Sequence, residues 1–240
     1  MNSLLVVDLA RRSYGGVLAL QRELAKARIA GIVDEDLLLL VEHEPVITLG
    51  RSSKAAHLLA APDYLRERGV EVFEVERGGD VTFHGPGQLV GYPIIDLKRH
   101  RKDLHWYLRQ VEQFLIDALA TYGLAAGRNA PYTGVWIDNR KVASIGVHAR
   151  DWVTWHGFAL NVTTQLSYFD FIVPCGIQAV QMTSIARELP NDPPGFGDVA
   201  DRVSAAAASL FGLVAVPTVA DDLLSIVGAT SSDLRGRAGR

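Results

Sequence analysis

The sequence predicts one α/β domain, and three observations predict it. At 240 residues the chain is long enough for one full hydrophobic core and short for two. Short apolar runs of strand character alternate with segments whose apolar residues recur at helical spacing. No repeat, low-complexity tract or linker interrupts that order. Hydrophobic residues make up 48% and charged residues 21%, which excludes a disordered or collagen-like chain. The net charge of -3 leaves no basic footprint for nucleic acid. The longest apolar runs are far too short to cross a bilayer, and no basic residue precedes the first one, so neither a membrane span nor a signal peptide is expected. Cys175 is the sole cysteine, so an internal disulfide is impossible and a cytoplasmic location is expected.

Taken in order, Leu4 to Asp8 predicts a first strand, and Val17, Leu20, Leu24 and Ala27 predict a helix that Gly31 stops. Leu37 to Val41 is continuously apolar, as in a strand buried on both faces. Pro45 breaks it, and Val46 to Leu49 leads to a turn at Gly50 and Arg51. A short helix at Tyr64 to Arg68 precedes a strand from Val70 to Val75. Arg77 to Gly91 then interrupts the chain with five glycines and Pro86. In it Val81 and Phe83 alternate with Thr82 and His84, a half-buried strand that holds Thr82 and His84 on one face. Leu89 to Asp96 predicts the next strand. Asp103 is a cap for a helix with face Leu104, Leu108, Val111, Leu115 and Leu119, ended by Gly123. Gly134 to Val147 predicts a hairpin turning at Asp138 and Asn139, and Trp152 to Val162 a strand broken by Gly157. A loop from Phe169 to Ile177 and a helix from Asp198 to Leu210 follow. Residues 1–216 are expected to form the domain and 217–240 a partly loose tail.

Several groups can carry chemistry. The glycine-rich stretch is a site wall or simply a hairpin; it satisfies neither the Walker nor the Gly-x-Gly-x-x-Gly phosphate motif. Cys175, between Pro174 and Gly176, sits in a turn, which suits a nucleophile, although free cysteines are also commonly structural. Lys141 just past a hairpin turn is a partner for that thiol or an ordinary solvated charge. Seven histidines lack metal-ligand spacing, so no metal is expected. His84 and His156 each precede a glycine in a strand-like segment and are placed to line a pocket; Asp80 and Asp170 are candidates to orient such groups.

Four blocks carry a resemblance: Val46 to Arg51; Arg77 to Gln88; Lys141 to Gly146 with His156 to Asn161; and Pro174 to Ile177. Together they resemble the lipoyl(octanoyl) transferases, with Val142 standing where the family has isoleucine and Glu44 intruding beside Pro45. The resemblance implies an α+β fold like that of biotin and lipoate ligases, a large mixed sheet plus a small sheet flanked by helices. It implies transfer of octanoyl from octanoyl-acyl carrier protein to lysines of lipoyl domains, those of 2-oxoacid dehydrogenase E2 subunits and the glycine cleavage H protein, without a cofactor. It assigns Cys175 as the acyl-thioester nucleophile and Lys141 as its acid/base partner. Substrate binding falls to Arg77, Gly78, Gly79, Asp80, Val81, Thr82, Phe83 and His84, to Ser144, Ile145 and Gly146, and to Gly157, Phe158 and Ala159. Those glycines among apolar neighbours suggest an acyl pocket with few charged groups. Two alternatives remain at this point, an ATP-dependent lipoate- or biotin-type ligase and a non-catalytic lipoyl-domain scaffold.

Overall fold

Alternating apolar strands need cover on both faces, and in the computed structural model two helical layers supply it. The structure describes residues 3–177, 180–228 and 234. In chain order the elements are β1 (Ser3–Arg12), α1 (Tyr14–Ile29), β2 (Asp36–His43), β3 (Val46–Leu49), α2 (Pro62–Glu67), β4 (Glu71–Glu74), β5 (Val81–His84) and β6 (Gln88–Ile94). There follow α3 (Leu104–Ala120), β7 (Ala126–Gly127), β8 (Val135–Ile137), β9 (Arg140–Arg150), β10 (Val153–Asn161), β11 (Gln181–Met182), α4 (Ile185–Glu188), α5 (Phe196–Phe211), β12 (Val214–Pro217) and α6 (Ala220–Ile226).

Nine of these strands form one sheet in the order β12-β1-β2-β6-β10-β9-β8-β7, with β11 against β9; β4-β3-β5 form a second, small sheet. The large sheet is mixed: β1 runs parallel to β2 and β12, whereas β2, β6, β10 and β9 pair antiparallel in turn. The expected pairing of a large mixed sheet with a small one is therefore present. On one face, α3 and α5 pack Tyr107, Val111, Phe114, Val203 and Phe211 against Leu38, Leu89 and Phe158. On the other face, α1 packs Val17, Leu20 and Leu24 against Leu37, Leu39, Val90 and Ala159.

Three expectations are corrected. The α3 face is Tyr107, Val111, Phe114, Leu115, Ala118 and Leu119, while Leu104 is 38% exposed. Leu104 is the first residue of the helix, at the end of the packed stripe, where no element among the described residues covers it. Asp103 does cap this helix, accepting from Trp106 N at 3.0 Å. The β5 strand is buried on both faces rather than half-buried, because one face meets the apolar core under the small sheet and the other meets a polar cavity. Gly157 does not break β10, which runs unbroken through it; the irregularity falls one residue earlier, at His156 with φ 56°. Beyond residue 217, α6 buries Leu223 and Leu224 in the layer with α1, and Leu234 is buried too. Residues 229–233 and 235–240 of the expected loose tail lie outside the described residues.

The core includes imidazoles. His43 is fully buried between Arg12 O at 2.9 Å and Tyr92 Oη at 2.8 Å, and burial pushes its pKa down to about 4 from 6.5. The unfolded chain takes up this proton near 6.5 and the folded chain only near 4, so stability falls as pH drops through that window and is fully present above it. The shift corresponds to about 3 kcal/mol. We expect the urea midpoint to fall between pH 7.5 and 5, and the fall to be shallower in His43→Gln. Equal slopes in the two proteins would remove His43 as the cause.

Candidate active site

Sheet register builds the centre of the site. In the β9–β10 hairpin, Ser144 lies opposite Ala159, Ile145 opposite Phe158 and Gly146 opposite Gly157, so the two strands bring these segments together as one floor. Over it lies a cavity of about 270 Å³. Its other walls are Arg77, Gly79 and Asp80 from the glycine-rich loop, Thr82 and His84 from β5, and Cys175 from a turn at Pro174–Gly176.

Lys141 enters from the second residue of β9. It is 1% exposed, which excludes the solvated charge, and its Nζ donates to Cys175 Sγ at 3.1 Å. The Trp136 ring centroid lies 5.4 Å from the same nitrogen. No carboxylate lies within ion-pair reach of it among the described residues. An ammonium buried without a counter-ion is costly. The Cys175 sulfur is the polar group that this buried amine meets. Gly134 makes room for this lysine: a Cβ there would stand 2.6 Å from Lys141 Cε, and Gly134 has φ 135°. Glu112 holds Gly134 in place by accepting from its N–H at 3.1 Å.

Cys175 itself has φ 56° and ψ 20°, a left-handed conformation that a residue with Cβ adopts at a cost of about 1–2 kcal/mol. That turn aims the sulfur at Lys141 and is held from beneath. Val173 N donates to His57 O at 2.8 Å, and His57 Nδ1 donates to Asp80 Oδ2 at 2.6 Å. A Cβ on Gly176 would sit 2.5 Å from that same carboxylate oxygen. The Asp80 carboxylate therefore packs against the turn that carries the thiol.

Behind the floor, Arg77 Nη2 donates to Thr48 O at 2.7 Å and to Thr48 Oγ1 at 2.9 Å. Burial pushes the pKa of this guanidinium down. Burial likewise holds His84 well below its ordinary range, so its ring is neutral; Nδ1 meets Gln88 Oε1 at 2.9 Å. Burial also lowers His156.

Of the residues expected from sequence, Arg77, Gly79, Asp80, Thr82, His84, Lys141, Ser144, Ile145, Gly146, Gly157, Phe158, Ala159 and Cys175 come together around the cavity. Three do not. Val81 and Phe83 point to the opposite side of β5, into the core under the small sheet, as strand alternation requires. Gly78 is taken up in backbone pairing, its N–H donating to Val147 O at 2.9 Å. The cavity also carries more polar and charged groups than its glycines suggested, because Tyr14, Tyr92 and His156 line it beside Arg77 and His84. Pro131, Tyr132 and Thr133 complete its rim. Asp170 is exposed and lies outside it. Tyr14 and Tyr92 carry no local signal: one opens a helix and the other sits inside an apolar strand.

Comparison with known proteins shows the family and the fold. The octanoyltransferase of Solibacter usitatus is 54% identical over 170 residues, which is 71% of this chain and 77% of the relative. That of Geobacter metallireducens is 49% identical over 201 residues, 84% of this chain and 90% of the relative. Among solved structures, the bipartite lipoate protein ligase of Thermoplasma acidophilum superposes with a TM-score of 0.75 at 14% identity, covering 95% of this chain and 91% of that one. Lipoate-protein ligase A bound with ATP gives 0.73 at 16% identity, covering 95% and 92%. At such identity these two establish the fold alone. Residues 13–208 match the lipoyl protein ligase A/B catalytic domain, and with octanoyltransferase relatives at about half identity the chain belongs to that family.

Proposed function

We propose that this chain is an octanoyltransferase that takes octanoyl from the thioester of octanoyl-acyl carrier protein onto Cys175 and passes it to a lysine of a lipoyl domain. The observation that supports this reading is the 3.1 Å contact between Lys141 Nζ and Cys175 Sγ inside a cavity. In the first half-reaction the Cys175 sulfur bonds to the thioester carbonyl carbon and the carrier's carbon–sulfur bond breaks. The departing sulfur takes a proton from the Lys141 ammonium. In the second, Lys141 accepts a proton from the incoming amine as nitrogen bonds to the acyl carbon and Cys175 leaves. No nucleotide is consumed, because the acyl group arrives activated as a thioester. The acceptors are lipoyl domains of 2-oxoacid dehydrogenase E2 subunits and the glycine cleavage H protein, and the reaction is the first step of endogenous lipoylation. A free thiol nucleophile suits the reducing cytoplasm.

The test is to mix the protein with octanoyl carrier protein and no ATP, and to follow intact mass. We expect a hydroxylamine-sensitive octanoyl adduct on Cys175, discharged by a lipoyl domain. Turnover that requires ATP and free octanoate would move the chain to the ligase reaction.

Chain length gives a second expectation. The acyl tail would lie along Ser144 to Gly146 and Gly157 to Ala159, the segments that line the cavity floor. Each buried methylene contributes up to about 0.8 kcal/mol, so hexanoyl donors should lose roughly tenfold in kcat/KM against octanoyl. Competition among butanoyl, hexanoyl, octanoyl and decanoyl carrier proteins reads this directly, and a flat profile would remove the tail from recognition.

A further inference from the structure

Among the described residues, the Thr82 hydroxyl in the cavity wall has no partner. Thr82 is 6% exposed, it lines the cavity, and its Oγ1 is buried with no hydrogen bond to any of them. Buried polar side chains nearly always find a partner, so an orphan that faces a binding cavity points to an occupant. The neighbours show why the fold supplies none. Thr48 Oγ1 is engaged by Arg77, and His84 by Gln88. Gln88 Nε2 donates to Asn161 Oδ1 at 2.9 Å, and Asn161 Nδ2 donates to Thr183 O at 2.9 Å. That network closes without Thr82. Alternation along β5 sends Val81 and Phe83 into the apolar core and leaves Thr82 on the cavity side, on a strand packed against the Pro174–Gly176 turn. The free hydroxyl and the Cys175 sulfur therefore face one space.

An octanoyl chain offers no hydrogen-bonding group along its methylenes; its one acceptor is the carbonyl oxygen. We infer that Thr82 is a further catalytic residue, whose hydroxyl donates to the carbonyl oxygen of the bound acyl thioester as that oxygen gains charge. This inference rests on the acyl transfer proposed above. When the Cys175 sulfur bonds to the carbonyl carbon, the carbon–oxygen π pair moves onto oxygen, and the hydroxyl meets that oxyanion. Return of the pair expels the carrier's sulfur, which leaves with the Lys141 proton. Attack by the acceptor amine charges the same oxygen again. One donor thus serves both half-reactions, and it does so more strongly in the transition state than in the ground state.

Thr82→Val replaces the hydroxyl with a methyl group of similar size, and Thr82→Ser keeps the hydroxyl. The readouts are single-turnover loading of octanoyl onto Cys175 from octanoyl carrier protein, its discharge to a lipoyl domain, KM, and the thermal midpoint. We expect Thr82→Val to slow both steps by about 10- to 1000-fold with KM little changed, as for loss of one oxyanion donor. Its thermal midpoint should equal or exceed that of the parent, since an unpaired buried hydroxyl is removed. Thr82→Ser should restore most of the rate. Unchanged rates in Thr82→Val would overturn the inference. Slowed discharge with normal loading would overturn it too, by assigning the hydroxyl to the acceptor amine. A lowered thermal midpoint with no rescue by serine would make Thr82 structural and also overturn it. If the parent protein never loads octanoyl on Cys175, the acyl-transfer reading itself fails and takes this inference with it.

Discussion

Cys175→Ala is expected to abolish octanoyl transfer, with a loss on the order of 10⁴-fold or more and no octanoyl adduct in the intact mass. Cys175 is the sole thiol, so no second sulfur can take over. The variant should fold normally. Alanine meets the same left-handed backbone at φ 56° that cysteine does, and the side chain lost is only partly buried. Thermal unfolding alongside the transfer assay separates lost chemistry from lost structure. Full activity in the alanine variant, or octanoyl found on another residue, would end the thioester route.

Lys141→Met is expected to slow both half-reactions by about 10²- to 10⁴-fold, the range for removal of a positioned acid/base. Methionine fills much of the lysine stem's volume between Trp136 and Gly134 and carries no charge, so stability should hold or rise. Lys141→Arg should not rescue: arginine keeps its proton at any working pH, and its wider head meets the wall that Gly134 only just clears for a lysine. Iodoacetamide labelling of Cys175 across pH is the independent reading. If wild type and the methionine variant label with the same pH profile, the two groups do not share a proton.

Much of the fold was legible because its strands are uniform. Leu37 to Val41 reads as doubly buried and is, since helices cover both faces of β2. The hairpin turn at Asp138 and Asn139 reads directly as well, and the register that follows sets Lys141 opposite Trp136. Whether that lysine is solvated was not legible, because burial comes from segments far along the chain: the Pro174–Gly176 turn in front and β11 beside it. The same limit hid Tyr14 and Tyr92, whose part in the cavity depends on how α1 and β6 meet β5, a relation that no local spacing encodes. Gly78, Val81 and Phe83 show the converse. A contiguous block of similar residues need not face one way, and a strand within it sends alternate side chains elsewhere.

The parallel pairing of β1 with β12 has a consequence for synthesis. Ser3 to Val6 lie against Val214 to Pro217, so the outer edge of β1 stays uncovered until residue 217 has emerged. At roughly 5–20 residues per second this leaves about 10–40 seconds in which the nascent chain carries an open parallel edge. By then Lys141 and Cys175 are already made. The open edge of β1 in that interval is a site for edge-to-edge association, which the arrival of β12 closes.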